Sequence, residues 1–161
     1  MNNMTTADAT DAYLSQIIKF QRMIENKQAE IMRFRDIMMS VTIEPKEDKI
    51  QTSSDKDKLS TFTAKVVDTE TEIREIYEKR MEIIRQIETF SSDPDFYQVL
   101  YCRYVDGMSL NNARHKLFCS KTKIYDLYDH ALMEFEAVYG RKYLKKGQKR
   151  KNQTKKEKYT D

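Results

Sequence analysis

The chain has 161 residues, of which 34% are charged and 39% hydrophobic, with three glycines, two prolines and no tryptophan. That length allows one compact core, or a small domain with a long helical arm, and the scarcity of turn-forming residues favours long helices. No apolar run approaches the roughly 20 residues that cross a bilayer, and the first residues lack the features of a secretion signal. We therefore expect a cytoplasmic protein without a membrane partner.

Side chains that commonly perform chemistry are sparse. Cys102 and Cys119 are the only cysteines, and thiols at this spacing are expected to be packing groups rather than a disulfide. A metal site would need them to meet His115 and His130, yet no Cys-x-x-Cys or His-x-x-x-His pair is present. The sequence also lacks a glycine-rich phosphate loop and a nucleophile motif. We expect neither an enzyme nor a bound cofactor or metal.

Positive charge is concentrated at the C-terminus. Residues 141–161, here called the basic tail, hold ten Lys/Arg and two Asp/Glu, whereas residues 1–140 hold 19 basic and 24 acidic residues. Such a tail attracts polyanions; the alternative is a solvated end that is disordered or partly helical. If the tail binds DNA, the side chains expected to meet phosphates are Lys145, Lys146, Lys149, Arg150 and Lys151.

Residues 11–90 carry two seams of apolar positions at alternating steps of four and three, the heptad pattern of packed helices. Residues 40–57 interrupt the period with Pro45, charged side chains and turn formers, which predicts a helical hairpin. Residues 1–10 are predicted to be a flexible N-terminus. An antiparallel hairpin then pairs Met38 with Leu59, Ile31 with Val66 and Ile24 with Ile73.

Three seam positions, Lys27, Thr69 and Arg80, are polar. In the interior they would penalise shifted registers; the alternative places Lys27 and Arg80 at the seam's edge with their charges in water. A two-helix hairpin buries little surface by itself, so we predict a homo-oligomer or partner binding through this arm. The residues assigned to that contact are Ile17, Phe20, Ile24, Ile31, Phe34, Val66, Ile73, Ile76 and Ile83.

Residues 91–140 change to short helices and predict a three-helix helix-turn-helix domain. The first helix starts near Asp93-Pro94 and ends at Asp106-Gly107, where glycine can adopt the left-handed conformation. Ser109 caps a helix that runs to Lys116, and Ser120 caps a helix that starts at Lys121 and ends near Val138. The fold class is therefore all-α.

The start of that last helix carries side chains that suit the major groove of DNA, because lysine, threonine and tyrosine can meet phosphates and base edges. The alternative is an ordinary polar helix face. The predicted DNA contacts are Lys121, Thr122, Lys123, Tyr125 and Asp126, together with the caps Ser109 and Ser120.

The segments Asp93–Tyr97, Leu100–Ser109 and Ser120–Tyr125 resemble region four of bacterial sigma factors. They resemble more closely the sigma-region-four-like regulators of phages and prophages of Gram-positive bacteria, the ArpU and RinA kind. Tyr13–Ile17 and Asp57–Leu59 are similar to a phage family of unknown biochemical role with the same two-part layout. The resemblance covers residues 13–135. It implies a regulator of late genes in the bacterial cytoplasm that binds double-stranded DNA, with RNA polymerase as a candidate second partner.

Two residues depart from that family's pattern: Arg114 replaces a small residue, and Phe118 replaces the glycine of the turn. We expect the Arg114 stem to shift aside and Phe118 to pack inward, which gives a looser helix-turn-helix. Two alternatives follow. One is a structural adaptor with a degenerate helix-turn-helix, and the other is a small terminase-like subunit for DNA packaging.

Overall fold

The structure is a computed structural model that describes residues 6–43 and 53–144. Every regular element in this part of the chain is helical, which confirms the all-α prediction. The α-helices are α1 (Thr6–Leu14), α2 (Gln16–Ile43), α3 (Ser53–Thr89), α4 (Pro94–Leu100), α5 (Leu110–Lys116) and α6 (Lys121–Tyr139). A π-helical turn, Tyr101–Val105, continues α4, and a 3-10 turn, Gly140–Lys142, follows α6. Within the described ranges, no helix has the length and apolarity needed to span a membrane.

The chain divides into two compact units. One contains residues 1–19 and 80–161, and we call its described part the helix-turn-helix unit; the other contains residues 20–79, and its described part is the hairpin arm. The predicted division at residues 90 and 91 is therefore displaced. The N-terminal helix and the ends of both long helices belong with the helix-turn-helix.

In the hairpin arm, α2 and α3 pack antiparallel in the predicted register. The rings of Phe34 and Phe62 lie 5.8 Å apart, and Met38 and Leu59 line the same surface depression. Lys27, only 25% exposed, forms an ion pair with Glu72 on the other helix, and this hydrogen bond raises the pKa of Lys27. Thr69 is buried, and its hydroxyl donates a hydrogen bond to the Lys65 carbonyl at 2.7 Å. Lys27 therefore has features of both alternatives: its side chain is partly buried in the seam, and its charge is paired with a carboxylate at the edge.

The starts and stops of α4, α5 and α6 are those that the sequence predicts. Asp93 caps α4 by accepting from the Asp95 amide at 2.9 Å, with Pro94 in the first turn. Gly107 adopts a φ of +69° after the π-helical turn, and the Met108 amide donates to the Cys102 carbonyl at 2.9 Å. Left-handed backbone at this point closes the helix and turns the chain towards α5.

The core of this unit is assembled from all of its helices. The π-helical turn contributes Tyr104, α5 contributes Ala113, and α6 contributes Ile124 and Phe135, all with no exposed surface. The rings of Phe135 and Phe90 pack edge to face, with their centroids 5.5 Å apart. The ends of the long helices add Ile17, Ile83, Ile84 and Ile87. Burial of this apolar surface is the main favourable contribution to the unit's stability.

Helix α1 corrects the prediction of a flexible N-terminus for residues 6–10. It packs against α6, and Thr10 is fully buried, with its hydroxyl 3.0 Å from the hydroxyl of Tyr143. Tyr143 also stacks on Tyr13, with ring centroids 4.3 Å apart. Because Leu144 is buried as well, the first four residues of the predicted basic tail belong to the fold.

A polar cluster anchors α1 inside the unit. The hydroxyl oxygens of Tyr104 and Tyr128 lie 2.6 and 3.0 Å from Asp11 Oδ1, and 2.7 Å from each other. Burial, followed by the nearby Tyr128 and Asp11, raises the pKa of Tyr104 far above its usual value, so this hydroxyl remains a donor. One carboxylate therefore joins α1, the π-helical turn and α6.

We predict that Asp11→Ala lowers the free energy of unfolding by about 2 kcal/mol, because two partly buried hydroxyls lose their acceptor. Chemical denaturation followed by circular dichroism would measure the change. Asp129→Ala, which removes an exposed carboxylate from α6, is the matched control and should stay within about 0.5 kcal/mol of the wild type. Equal losses in both variants would contradict an anchoring role for Asp11.

Candidate nucleic-acid interface

The start of α6 presents its polar residues to solvent. Ser120 caps the helix by accepting from the Lys123 amide at 3.2 Å. Lys121, Thr122 and Lys123 are all exposed, as is Asp126 in the second turn. The first turn of this helix is therefore accessible to a partner, which is the geometry that groove entry requires.

The opposite face of α6 explains why these residues point outward. Ile124, Ala131 and Phe135 recur at helical spacing on the buried face and have no exposed surface. The hydroxyl of Tyr128 joins the Asp11 cluster on the same helix. With that face committed to the core, the side chains at positions 121, 122 and 123 are left on the solvent side.

The segment of chain that leads into the first turn of α6 carries no acidic side chain. Residues 107–125, which span α5, the turn and the start of α6, contain no aspartate or glutamate. They contain four basic side chains other than histidine: Arg114, Lys116, Lys121 and Lys123. Lys116 is paired with Asp106 at 2.8 Å, and this hydrogen bond raises the pKa of Lys116. We call residues 107–125 the acid-free segment.

Two predicted DNA contacts lie in a different electrostatic setting. Ser109 and Tyr125 line a depression of about 530 Å³ together with Asp8, Asp11 and Asp129. Ser109 also caps α5, accepting from the Asn112 amide at 3.2 Å. Phosphate is less favoured beside three carboxylates than beside lysines. Among the predicted contacts, Lys121, Thr122 and Lys123 are thus better placed than Ser109, Tyr125 or Asp126.

The two departures from the sigma-region-four pattern have different outcomes. The Arg114 side chain turns along its own helix and donates from Nε to Asn111 Oδ1 at 2.8 Å, while Ala113 fills the buried position of α5. The expectation that the Arg114 stem moves aside is confirmed. The expectation that Phe118 packs inward is wrong, because its side chain is 96% exposed.

Phe118 also adopts the left-handed backbone conformation, with a φ of +52°. Hydrogen bonds of the turn hold Phe118 in this conformation. The Leu117 amide donates to the Ala113 carbonyl at 2.9 Å at the end of α5, and the Cys119 amide donates to the Arg114 carbonyl at 3.0 Å. This conformation destabilises a residue that has a Cβ by roughly 1 kcal/mol, and it does not destabilise glycine. The left-handed backbone turns the Phe118 ring away from the core.

The residues assigned to oligomerisation or partner binding are mostly used within the chain itself. Ile17, Ile24, Ile31, Ile76 and Ile83 are buried; Phe20, Phe34, Val66 and Ile73 are half-buried. The apolar residues that remain exposed in the hairpin arm include Met23, Met32, Ile37, Met39, Val67 and Tyr77. Any second chain on this arm would meet these residues rather than the seam.

In the part of the chain that the structure describes, the two cysteines form neither a disulfide nor part of a metal site. Cys102 is buried and Cys119 is half-buried, and both are free thiols; burial raises the pKa of Cys102. Across residues 6–43 and 53–144, no three His, Cys, Asp or Glu side chains group in a way that could hold a metal ion. The predicted phosphate contacts Lys145, Lys146, Lys149, Arg150 and Lys151 lie outside the described residues.

Comparison with known proteins identifies a family but not a role. The sequence profile of DUF1492, a protein family of unknown function, matches residues 42–136, and the chain belongs to this family. The matched residues include α3, α4, α5 and most of α6. No curated protein matches the chain. No solved structure matches it either.

We predict that Phe118→Asn raises the free energy of unfolding by about 0.5 to 1 kcal/mol, because asparagine tolerates the left-handed conformation and the ring makes no buried contact. Chemical denaturation would measure the difference. Leu117→Asn is the neighbouring control: Leu117 is half-buried, so its replacement should destabilise. A loss of stability in Phe118→Asn would show that the ring packs on the protein.

Proposed function

We propose that this DUF1492 protein binds double-stranded DNA through the first turn of α6 and acts as a regulator of phage or prophage late genes. The resemblance of residues 93–135 to sigma region four motivates the choice of ligand and of biological role. The acid-free segment is the single observation that carries the proposal. In a chain with 26 acidic side chains, the 19 consecutive residues 107–125, which include α5 and the start of α6, contain none.

The arrangement of charge favours a polyanion at this surface. Lys121 and Lys123 are exposed in the first turn of α6, next to the Ser120 cap, and Arg114 lies on the preceding helix. Lysine ammonium groups can pair with phosphates or with guanine, and Thr122 can contact a base edge or a thymine methyl group. The carboxylates of Asp8, Asp11 and Asp129 border the depression that Ser109 and Tyr125 line, so in this docking the phosphates meet the lysines instead.

The basic tail supplies the sequence-independent part of the proposed binding. Residues 145–161 hold eight Lys/Arg and two Asp/Glu, enough to release several counterions from a duplex. Arg141 and Lys142 are better assigned to the fold. Lys142 pairs with Glu82 at 2.8 Å, and the adjacent Tyr143 stacks on Tyr13.

In this proposal the hairpin arm joins subunits or meets RNA polymerase in the bacterial cytoplasm. Its exposed methionines support a contact role, because flexible apolar side chains adapt to different partner surfaces. Met23, Met32 and Met39 are 44%, 66% and 58% exposed. These side chains lie beside the seam, so a partner could cover them without opening the hairpin.

We predict that Lys121→Ala and Lys123→Ala each weaken binding to a preferred duplex by about five- to tenfold and relax the sequence preference, because each removes a groove contact. Preferred duplexes would first be enriched from a random library with the wild-type chain. Fluorescence anisotropy would then compare affinities on preferred and random duplexes at fixed salt.

Lys79→Ala is the charge-matched control, because Lys79 is an exposed lysine of the hairpin arm. It should leave both affinity and preference near the wild type. If every lysine variant loses the same affinity on preferred and on random DNA, α6 does not read the groove. If the wild-type chain binds no duplex at all, the proposed function is wrong.

We predict that removal of residues 145–161 weakens binding to all duplexes alike and flattens the dependence of affinity on salt. Each lost phosphate contact should reduce the slope of log K against log salt by about 0.9. A full-length variant with the eight Lys/Arg of this segment replaced by Gln controls for chain length. Truncation begins after Leu144 because that side chain is buried. An unchanged slope in both variants would rule out phosphate contacts by the tail.

A second candidate function is that of a protein-binding adaptor in which the helix-turn-helix serves only as a packing module. The exposed apolar residues of the hairpin arm favour it, because they would have no binding partner in a monomer that contacts only DNA. A chain that binds no duplex but forms a stable complex through Met32 and Met39 would support the adaptor.

A further inference from the structure

Among the residues that the structure describes, Phe118 is the most exposed large hydrophobic side chain. Its side chain is 96% exposed, while the next in the helix-turn-helix unit are Met133 at 60% and Val138 at 49%. An aromatic ring in water loses the favourable burial that phenylalanine normally gains. Its backbone is left-handed as well, with a φ of +52°. In the absence of a partner, both the exposed ring and the left-handed backbone of Phe118 are unfavourable for stability.

The position of Phe118 connects it to the proposed DNA-binding surface. It lies at the centre of the acid-free segment, two residues before the Ser120 cap and three before Lys121. Arg114, His115 and Lys116 precede it on α5. A partner that covers this ring must therefore accept a cationic surround while offering apolar atoms to the ring.

We infer that Phe118 is an apolar contact to DNA, in which the ring lies against a thymine methyl group or a deoxyribose beside the groove that receives α6. Duplex DNA holds these apolar groups close to its phosphates. Nearby lysines would meet the phosphates while the ring meets the sugar or the methyl group. This inference rests on the proposed function and adds a residue to it that the sigma-region-four pattern, with glycine in the turn, lacks.

The direction of the ring follows from the backbone. At a left-handed residue the Cβ is directed differently from that of a helical residue, and in this turn the ring is left in solvent, 96% exposed. Glycine at this position would close the same turn without presenting any side chain. Phenylalanine retains the turn and adds an exposed ring at the same point.

The absence of tryptophan from the chain allows a direct test. Phe118→Trp places a single indole at the position of the ring, and its emission would be followed while the full-length protein is titrated with a mixed-sequence duplex of about 20 base pairs. We expect saturable quenching with the same midpoint as fluorescence anisotropy of labelled DNA. Met133→Trp, on the exposed side of α6, is the matched probe and should not respond.

Affinity provides the second measurement. Phe118→Asn should weaken duplex binding about fivefold, because the ring's apolar contact with DNA is lost, although the substitution relaxes the backbone. A weaker complex from a protein that is at least as stable cannot be attributed to misfolding. Phe118→Tyr retains the ring and should bind within about twofold of the wild type.

The outcomes separate this inference from the function on which it rests. If the wild-type chain binds DNA but the indole at position 118 does not respond and Phe118→Asn binds equally well, the inference is overturned and the proposed function stands. If no variant binds any duplex, both fail. If the indole responds to protein concentration instead of DNA, the ring contacts a second copy of the chain and the inference is overturned.

Discussion

The carboxylate of Asp11 is the interaction on which the arrangement of the helix-turn-helix unit depends. It accepts from hydroxyls on the π-helical turn and on α6, at 2.6 and 3.0 Å, and so links three segments that are far apart in sequence. A buried hydroxyl without an acceptor is costly, so the three segments hold one another in place. Apolar packing alone would tolerate small rotations of α6. The oriented hydrogen bonds restrict them and keep the lysines of its first turn on the solvent side.

Charge is segregated along α6 as a result. The side that receives α1 borders a depression with Asp8, Asp11 and Asp129, whereas Lys121 and Lys123 extend the acid-free segment into solvent. The same rotation of the helix therefore determines both what is buried and which charge faces outward. Exposed lysines without neighbouring carboxylates in the same turn are suited to a polyanion, which is the physical basis for proposing DNA.

Phe118 illustrates how a local substitution is interpreted differently once the backbone is known. As a hydrophobic residue between two helices it is expected to pack inward, and hydrophobicity alone gives no reason to expect otherwise. The left-handed backbone of the turn reverses that expectation, because it directs the ring into water. Arg114 behaves as expected, since a long side chain can follow its own helix to Asn111.

The sequence by itself determined the helices, their caps and the register of the hairpin. Those features depend on neighbours within one or two turns, or on a heptad period that repeats over many residues, as Ser109, Ser120 and the facing Phe34 and Phe62 illustrate. Only the tertiary structure decided that residues 6–10 are helical and that Tyr143 and Leu144 belong to the core. Thr10 and Tyr143 are 133 residues apart. No local pattern predicts a contact at that separation, because it forms only when the whole unit has closed.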